Sequence, residues 1–144
     1  LACATAEHVV ADGGGRPTVL RFRPHDGVAA LAAREVGALG ANGLLSVDVA
    51  VAADGSPSVV GIDRHVADSM HVPAWLGVDL AAAWLAALDG CAYEGAVALP
   101  PSMSRISVAF PQEWMRDRDS RWLREQRVDM PWDEPELLDA LLAT

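Results

Sequence analysis

The chain has 144 residues, a length that suits one domain, and its 20 acidic residues outweigh 11 basic ones to leave a formal net charge of −9. Every basic residue is arginine and there is no lysine. With no basic stripe to release counterions, the composition excludes a nucleic-acid backbone as the natural partner.

Taken in chain order, Thr5 to Val10 and Pro17 to Arg23 read as two strands joined by Ala11 to Arg16 (ADGGGR). The glycines of that loop suggest a phosphate cradle. No Lys-Ser/Thr follows them, however, and the next element is a strand instead of a helix, so the spacing predicts a plain turn. Arg21 and Arg23 alternate with Leu20 and Phe22, which puts both arginines on the non-core face of their strand.

A helix follows, with Asp26 as the expected N-cap and Val28, Leu31, Ala32, Val36 and Leu39 at helical spacing, stopped at Gly40 or Gly43. Arg34 and Glu35 fall on its solvent face. From Leu45 to Val51 the pattern alternates with period two: Leu45, Val47, Val49 and Val51 share one face, and Ser46, Asp48 and Ala50 the other. Asp54-Gly55 is a hairpin turn signal and Ser58 to Asp63 is the returning strand. A turn centred on Asp54 and Gly55 places Asp48 opposite Gly61 and Ser46 opposite Asp63, so that Asp48 and Asp63 are diagonal neighbours on one face. Two carboxylates so placed suit a hard cation such as Mg2+; a merely solvated hairpin face carries the same pattern.

Ser69 to Trp75 leads into a second helix, Val78 to Leu88, ending at Asp89-Gly90. Its apolar run is too short to span a bilayer and is flanked by Asp79 and Asp89. Pro100-Pro101 breaks the chain, Arg105 to Phe110 reads as a last strand, and Gln112 to Arg127 is rich in arginine and tryptophan. There Trp114, Arg118, Arg121, Trp122 and Glu125 share one helical stripe, and a short helix is expected from Pro135 to Leu142. This segment reads as a lid, an interface, or an extension wrapping the core through its tryptophans.

No Gly-x-Ser-x-Gly elbow is present, and His8, His25, His65 and His71 have no paired-ligand spacing. Cys3 and Cys91 form neither a disulfide framework nor a Cys-x-x-Cys pair, and read as core residues in a reducing cytoplasm. The expected fold class is α+β, a mainly antiparallel sheet covered by helices, with residues 1–90 as the principal domain and 91–144 as an extension packed on it.

The stretch Leu44 to His71 (LLSVDVAVAADGSPSVVGIDRHVADSMH) resembles the catalytic hairpin of the ATP-grasp fold, in which an acid on the first strand precedes Glu-hydrophobic-Asn-Pro-Arg on the second. Aligned without gaps, Asp48 falls on the first acid, Gly61 on the Glu, Asp63 on the Asn, Arg64 on the Pro and His65 on the Arg. Ser69 matches the serine of a following Gly-Gly-Ser, and Ala74 to Leu80 (AWLGVDL) is similar to the opening of the family's next helix. Upstream, Pro24 to Gly43 resembles the helix and glycine turn that lead into the hairpin, so the likeness covers about Thr18 to Gly90.

The resemblance implies the C-terminal lobe of an ATP-dependent ligase, which activates a small-molecule carboxylate as an acyl phosphate for attack by an amine-type nucleophile. It implies ATP and Mg2+ as cofactors of the intact protein, with Asp48 and Asp63 on metal. Arg21, Arg64 and Ser69 would contact the nucleotide, and Arg23 and His65 would take catalytic roles. Gly61 removes the ligand that bridges two metal ions in the family, which leaves a degenerate lobe acting as a ligand-binding or protein-interaction module as the alternative. The lysines and nucleotide-closing lobe expected upstream imply that the chain is the C-terminal portion of a longer polypeptide, inactive in isolation. The remaining expectations are a cytoplasmic location with no membrane contact, the missing N-terminal lobe as a partner, and a homodimer as one assembly.

Overall fold

A computed structural model of the protein describes residues 1–142. In chain order its elements are β1 (Ala6–Ala11), β2 (Pro17–Phe22), α1 (Asp26–Ala38), β3 (Ser46–Val51), β4 (Pro57–Asp63), α2 (Val72–Trp75), α3 (Leu80–Leu88), β5 (Arg105–Ala109), α4 (Gln112–Arg116), α5 (Arg121–Glu125), β6 (Arg127–Asp129) and α6 (Pro135–Leu142). The fold is α+β. No described helix is long and apolar enough to cross a membrane.

The chain forms two compact units that do not follow the expected boundary at residue 90. One unit comprises Leu1–Thr5 and Arg23–Met103; the other comprises Ala6–Phe22 and the chain from Ser104 onward. The reason is strand pairing: β2 pairs antiparallel with β5, with Val19 opposite Val108, so the first hairpin belongs with the C-terminal segment.

The second unit is a four-stranded sheet in the order β1-β2-β5-β6. It is mixed, not antiparallel throughout, because β5 and β6 run parallel, with Ser107 opposite Arg127 and Ala109 opposite Asp129. The three residues of β6 lie inside a charged run, where no alternation marks a strand. Val19, Phe22, Val108 and Phe110 are buried here. The ADGGGR loop is a plain turn closed by its own aspartate: Asp12 Oδ1 accepts from the N–H of Gly14 and of Arg16, and Oδ2 from Arg16 Nε at 3.0 Å. In place of one continuous helical stripe through Gln112 to Arg127, two short helices are separated by a turn in which Asp117 accepts from the N–H of Asp119.

The first unit contains the β3–β4 hairpin as a separate two-stranded sheet, with α1 packed on β4. Its buried apolar residues are Leu31, Val72, Val78 and Leu99. The N-cap of α1 is His25 instead of Asp26: its backbone is extended and its Nδ1 accepts from the N–H of Val28 at 3.3 Å. Asp79 caps α3 through Oδ1 and the N–H of Ala82, which starts that helix two residues later than the apolar pattern suggested.

Candidate functional site

The hairpin's register places Asp48 opposite Gly61 and Ser46 opposite Asp63, as the sequence predicts, but by a different route. The turn is one residue longer than expected. Ala52 N–H bonds the carbonyl of Ser56, Gly55 sits at φ +85°, and Asp54 accepts from both the N–H and the hydroxyl of Ser56. That loop pairs Val51 with Pro57 and Val49 with Val59. An extra residue at Val60 then shifts the ladder by one, a β-bulge that restores the predicted pairing at Asp48. Val60, left without a cross-strand partner, is 71% exposed.

Asp48 and Asp63 therefore share a hairpin face, and both are exposed. Between them Gly61 leaves room: a Cβ there would lie 3.8 Å from Asp48 Oδ2. Asp63 Oδ1 is engaged by His65, from the backbone N–H at 2.9 Å and from ring Nδ1 at 2.7 Å. These bonds, the backbone N–H first, hold the Asp63 carboxyl below the usual carboxylate range. Among the described residues no three His, Cys, Asp or Glu side chains gather as a metal site. A pair of Mg2+ ions needs bridging oxygen where Gly61 supplies none, so the donor set does not fit a two-metal phosphate clamp.

Beyond the last residue of β4, Arg64 lines an open groove of about 520 Å³ with Gly40 to Leu44, Val66 and Trp84. Each wall has a local cause. Helix α1 terminates with Gly40 at φ +57° and the Ala41 N–H on the Val36 carbonyl, and Gly43 turns the chain at φ +101° into β3. Trp84 comes from the middle of α3, and a Cβ on Gly43 would stand 4.0 Å from its indole nitrogen. The Arg64 guanidinium makes no ion pair or hydrogen bond among the described residues.

The remaining sequence candidates are dispersed. Arg21 lies on β2 in the other unit, opposite Glu7, whose Oε2 it bonds at 3.2 Å. Arg23 follows that strand and closes the chain against Thr5 through its backbone, the Arg23 N–H donating to the Thr5 carbonyl at 3.2 Å. Ser69 accepts from the N–H of Val72 through its carbonyl, at the start of α2. Thus Asp48, Asp63, Arg64, His65 and Ser69 belong to one unit with Arg23, while Arg21 is committed to a cross-strand pair in the other.

Sequence reasoning missed two features. The first is Trp84 and the glycine loop beside Arg64. A lone tryptophan in a run of alanines and leucines (LAAAWLAAL) was the available signal. The second is a buried carboxylate. Glu113 is 0% exposed and accepts from Thr18 Oγ1 at 2.6 Å, Arg116 Nε at 2.7 Å, Arg116 Nη2 at 2.6 Å and the Ser120 hydroxyl. Chiefly through Arg116, and against the opposing effect of burial, its pKa falls to about 2. The i,i+3 spacing of Glu113 and Arg116 was visible, but Thr18 lies 95 residues away. Every lone pair is committed, so this carboxylate holds α4 and α5 to the sheet and offers nothing to a ligand.

Comparison with protein-family models, curated proteins and solved structures finds no match.

Proposed function

We propose that this chain is a degenerate ATP-grasp-like lobe that binds a small carboxylate at the Arg64 groove without transferring a phosphoryl group. The observation that carries this reading is the unpaired guanidinium of Arg64 in a groove walled by an indole and a glycine turn, immediately after a hairpin that lacks its bridging carboxylate. A guanidinium takes a carboxylate through two parallel N–H bonds, and Trp84 offers the apolar surface for the rest of the molecule. Calorimetric titration with benzoate as the probe is expected to give millimolar binding, weakened about tenfold or more by Arg64→Ala. The wild-type chain is expected to give no heat with Mg-ATP. ATP turnover, or benzoate binding indifferent to Arg64, would remove the proposal.

A second reading is the C-terminal portion of a working ATP-dependent carboxylate–amine ligase. The register favours it, since Asp48 and Asp63 fall on the strand positions where the family places its metal ligands. The gap beside Asp48 has room for a restored side chain. Gly61→Glu in the full-length protein separates the two: Mg-ATP binding that strengthens only in the variant supports a lobe degenerate by this one loss, whereas a wild type that already turns over ATP with a carboxylate supports the ligase.

A further inference from the structure

The eight residues of α6 are too few to hold a helix in water without a surface to cover their leucines. Yet α6 packs extensively on no other described element. Leu137 and Leu142 are each 44% exposed, and Trp132 just before the helix is 69% exposed. The same stretch is uniformly acidic: Asp133, Glu134, Glu136 and Asp139 occur with no basic residue between positions 133 and 142.

A surface of complementary character lies in the same unit. The Arg118 guanidinium stands 4.1 Å above the ring of Trp114, and that of Arg121 stands 4.6 Å above Trp122. Neither has a carboxylate partner among the described residues, whereas Arg16, Arg21, Arg34 and Arg116 each do. Stacking on an indole limits the guanidinium's motion while keeping its N–H edge for a carboxylate. The platform beneath is held by Glu113, which ties α4 to Thr18 and to Ser120 at the head of α5. Of the acids in this segment, Asp117 is turned to Arg116 at 3.7 Å. Asp119 and Glu125 are exposed in the same segment, so the groups there that can take an acidic partner are the two stacked guanidiniums.

We propose that the acidic helix α6 of one copy docks on Arg118 and Arg121 of a second copy, with the exposed Leu137 and Leu142 meeting the partly exposed indoles beneath them. The reciprocal exchange makes a twofold dimer in which both interfaces are the same. Charge complementarity selects the occupant, because α6 is acidic and leaves Leu137 and Leu142 exposed, while the receiving surface holds two stacked cations with no carboxylate partner among the described residues.

The test is sedimentation velocity across protein concentration at low and at 0.5 M salt, with circular dichroism to check folding. The wild type is expected to dimerise, and less so at high salt. Arg118→Glu with Arg121→Glu, and separately Glu136→Arg with Asp139→Arg, are each expected to weaken the dimer roughly 30-fold or more. Mixing the two variants restores it, because acidic helix meets arginine surface on one side and basic helix meets glutamate surface on the other. A wild type that stays monomeric at low salt and high concentration overturns the proposal. So does a dimer that tolerates both charge swaps, or a mixture that does not reassociate.

Discussion

In the unit built on the four-stranded sheet, one carboxylate is buried and both its oxygens are fully used; in the unit built on the hairpin, two carboxylates stand in water, Asp63 half engaged by its neighbouring histidine and Asp48 beside an empty position. The cores differ in the same sense. In the sheet unit Val19, Phe22, Val108 and Phe110 are buried, and so is Glu113. The hairpin unit leaves α3, almost wholly apolar, without one buried side chain, and exposes Trp84, Leu85 and Leu88. A satisfied buried carboxylate is part of the architecture, whereas the groove leaves a guanidinium without an ion pair among the described residues beside exposed apolar surface.

The sharpest way to break that contrast is Glu113→Ala, which strands Arg116, Thr18 and Ser120. A loss of about 3–5 kcal/mol is expected from the removal of one partner of a buried ion pair, read by denaturant unfolding together with the near-ultraviolet signal of Trp114 and Trp122. An unfolding midpoint close to wild type would show that the latch is dispensable. The same residue sets an acid limit. Its folded pKa of about 2 lies below its ordinary value of 4.5, so the stability it contributes is complete above the ordinary value and is lost as pH falls through about 2. Glu113→Gln should flatten that stretch of the stability-against-pH curve; an unaltered acid limb would contradict it.

In the hairpin unit, Gly55→Ala is expected to cost roughly 1–2 kcal/mol, since φ is positive there, although nothing lies within 4 Å of the added methyl. Amide exchange in β3 and β4 would report it, and unchanged protection would mean that the turn tolerates another geometry. Back in the sheet unit, Gln112 Oε1 is buried without a hydrogen-bond partner among the described residues. Gln112→Met should therefore be neutral or stabilising by up to about 1 kcal/mol, as thermal melting can check. The smallest effect is expected at His65→Ala, which should let the Asp63 carboxyl titrate closer to its ordinary range in a carbon-detected NMR titration, without altering the fold. A carboxyl that titrates as before would assign the depression to the backbone N–H of residue 65 and not to the imidazole.

Much of the layout was legible because it is local. Period-two alternation from Leu45 to Val51, the Asp54-Gly55 signal and the helical spacing from Val28 to Leu39 each depend on residues a few positions apart, and each element formed near where it was expected. The pairing of Asp48 with Gly61 was legible too, although only because a longer turn and a bulge at Val60 offset one another. The cap of α1 was not legible: Asp26 was expected, and His25 takes the position because its ring nitrogen reaches the N–H of Val28.

The sequence by itself determined the α+β alternation, the acidic character of the chain and the face shared by Asp48 and Asp63, because these follow from side-chain periodicity and charge. Only the tertiary structure decided that β2 belongs with β5, that Thr18 and Ser120 meet on Glu113, and that Arg64 and Trp84 border one groove. Except for Ser120 with Glu113, those contacts join residues far apart in the chain, and all are set by which faces can be buried together and which polar groups then need partners.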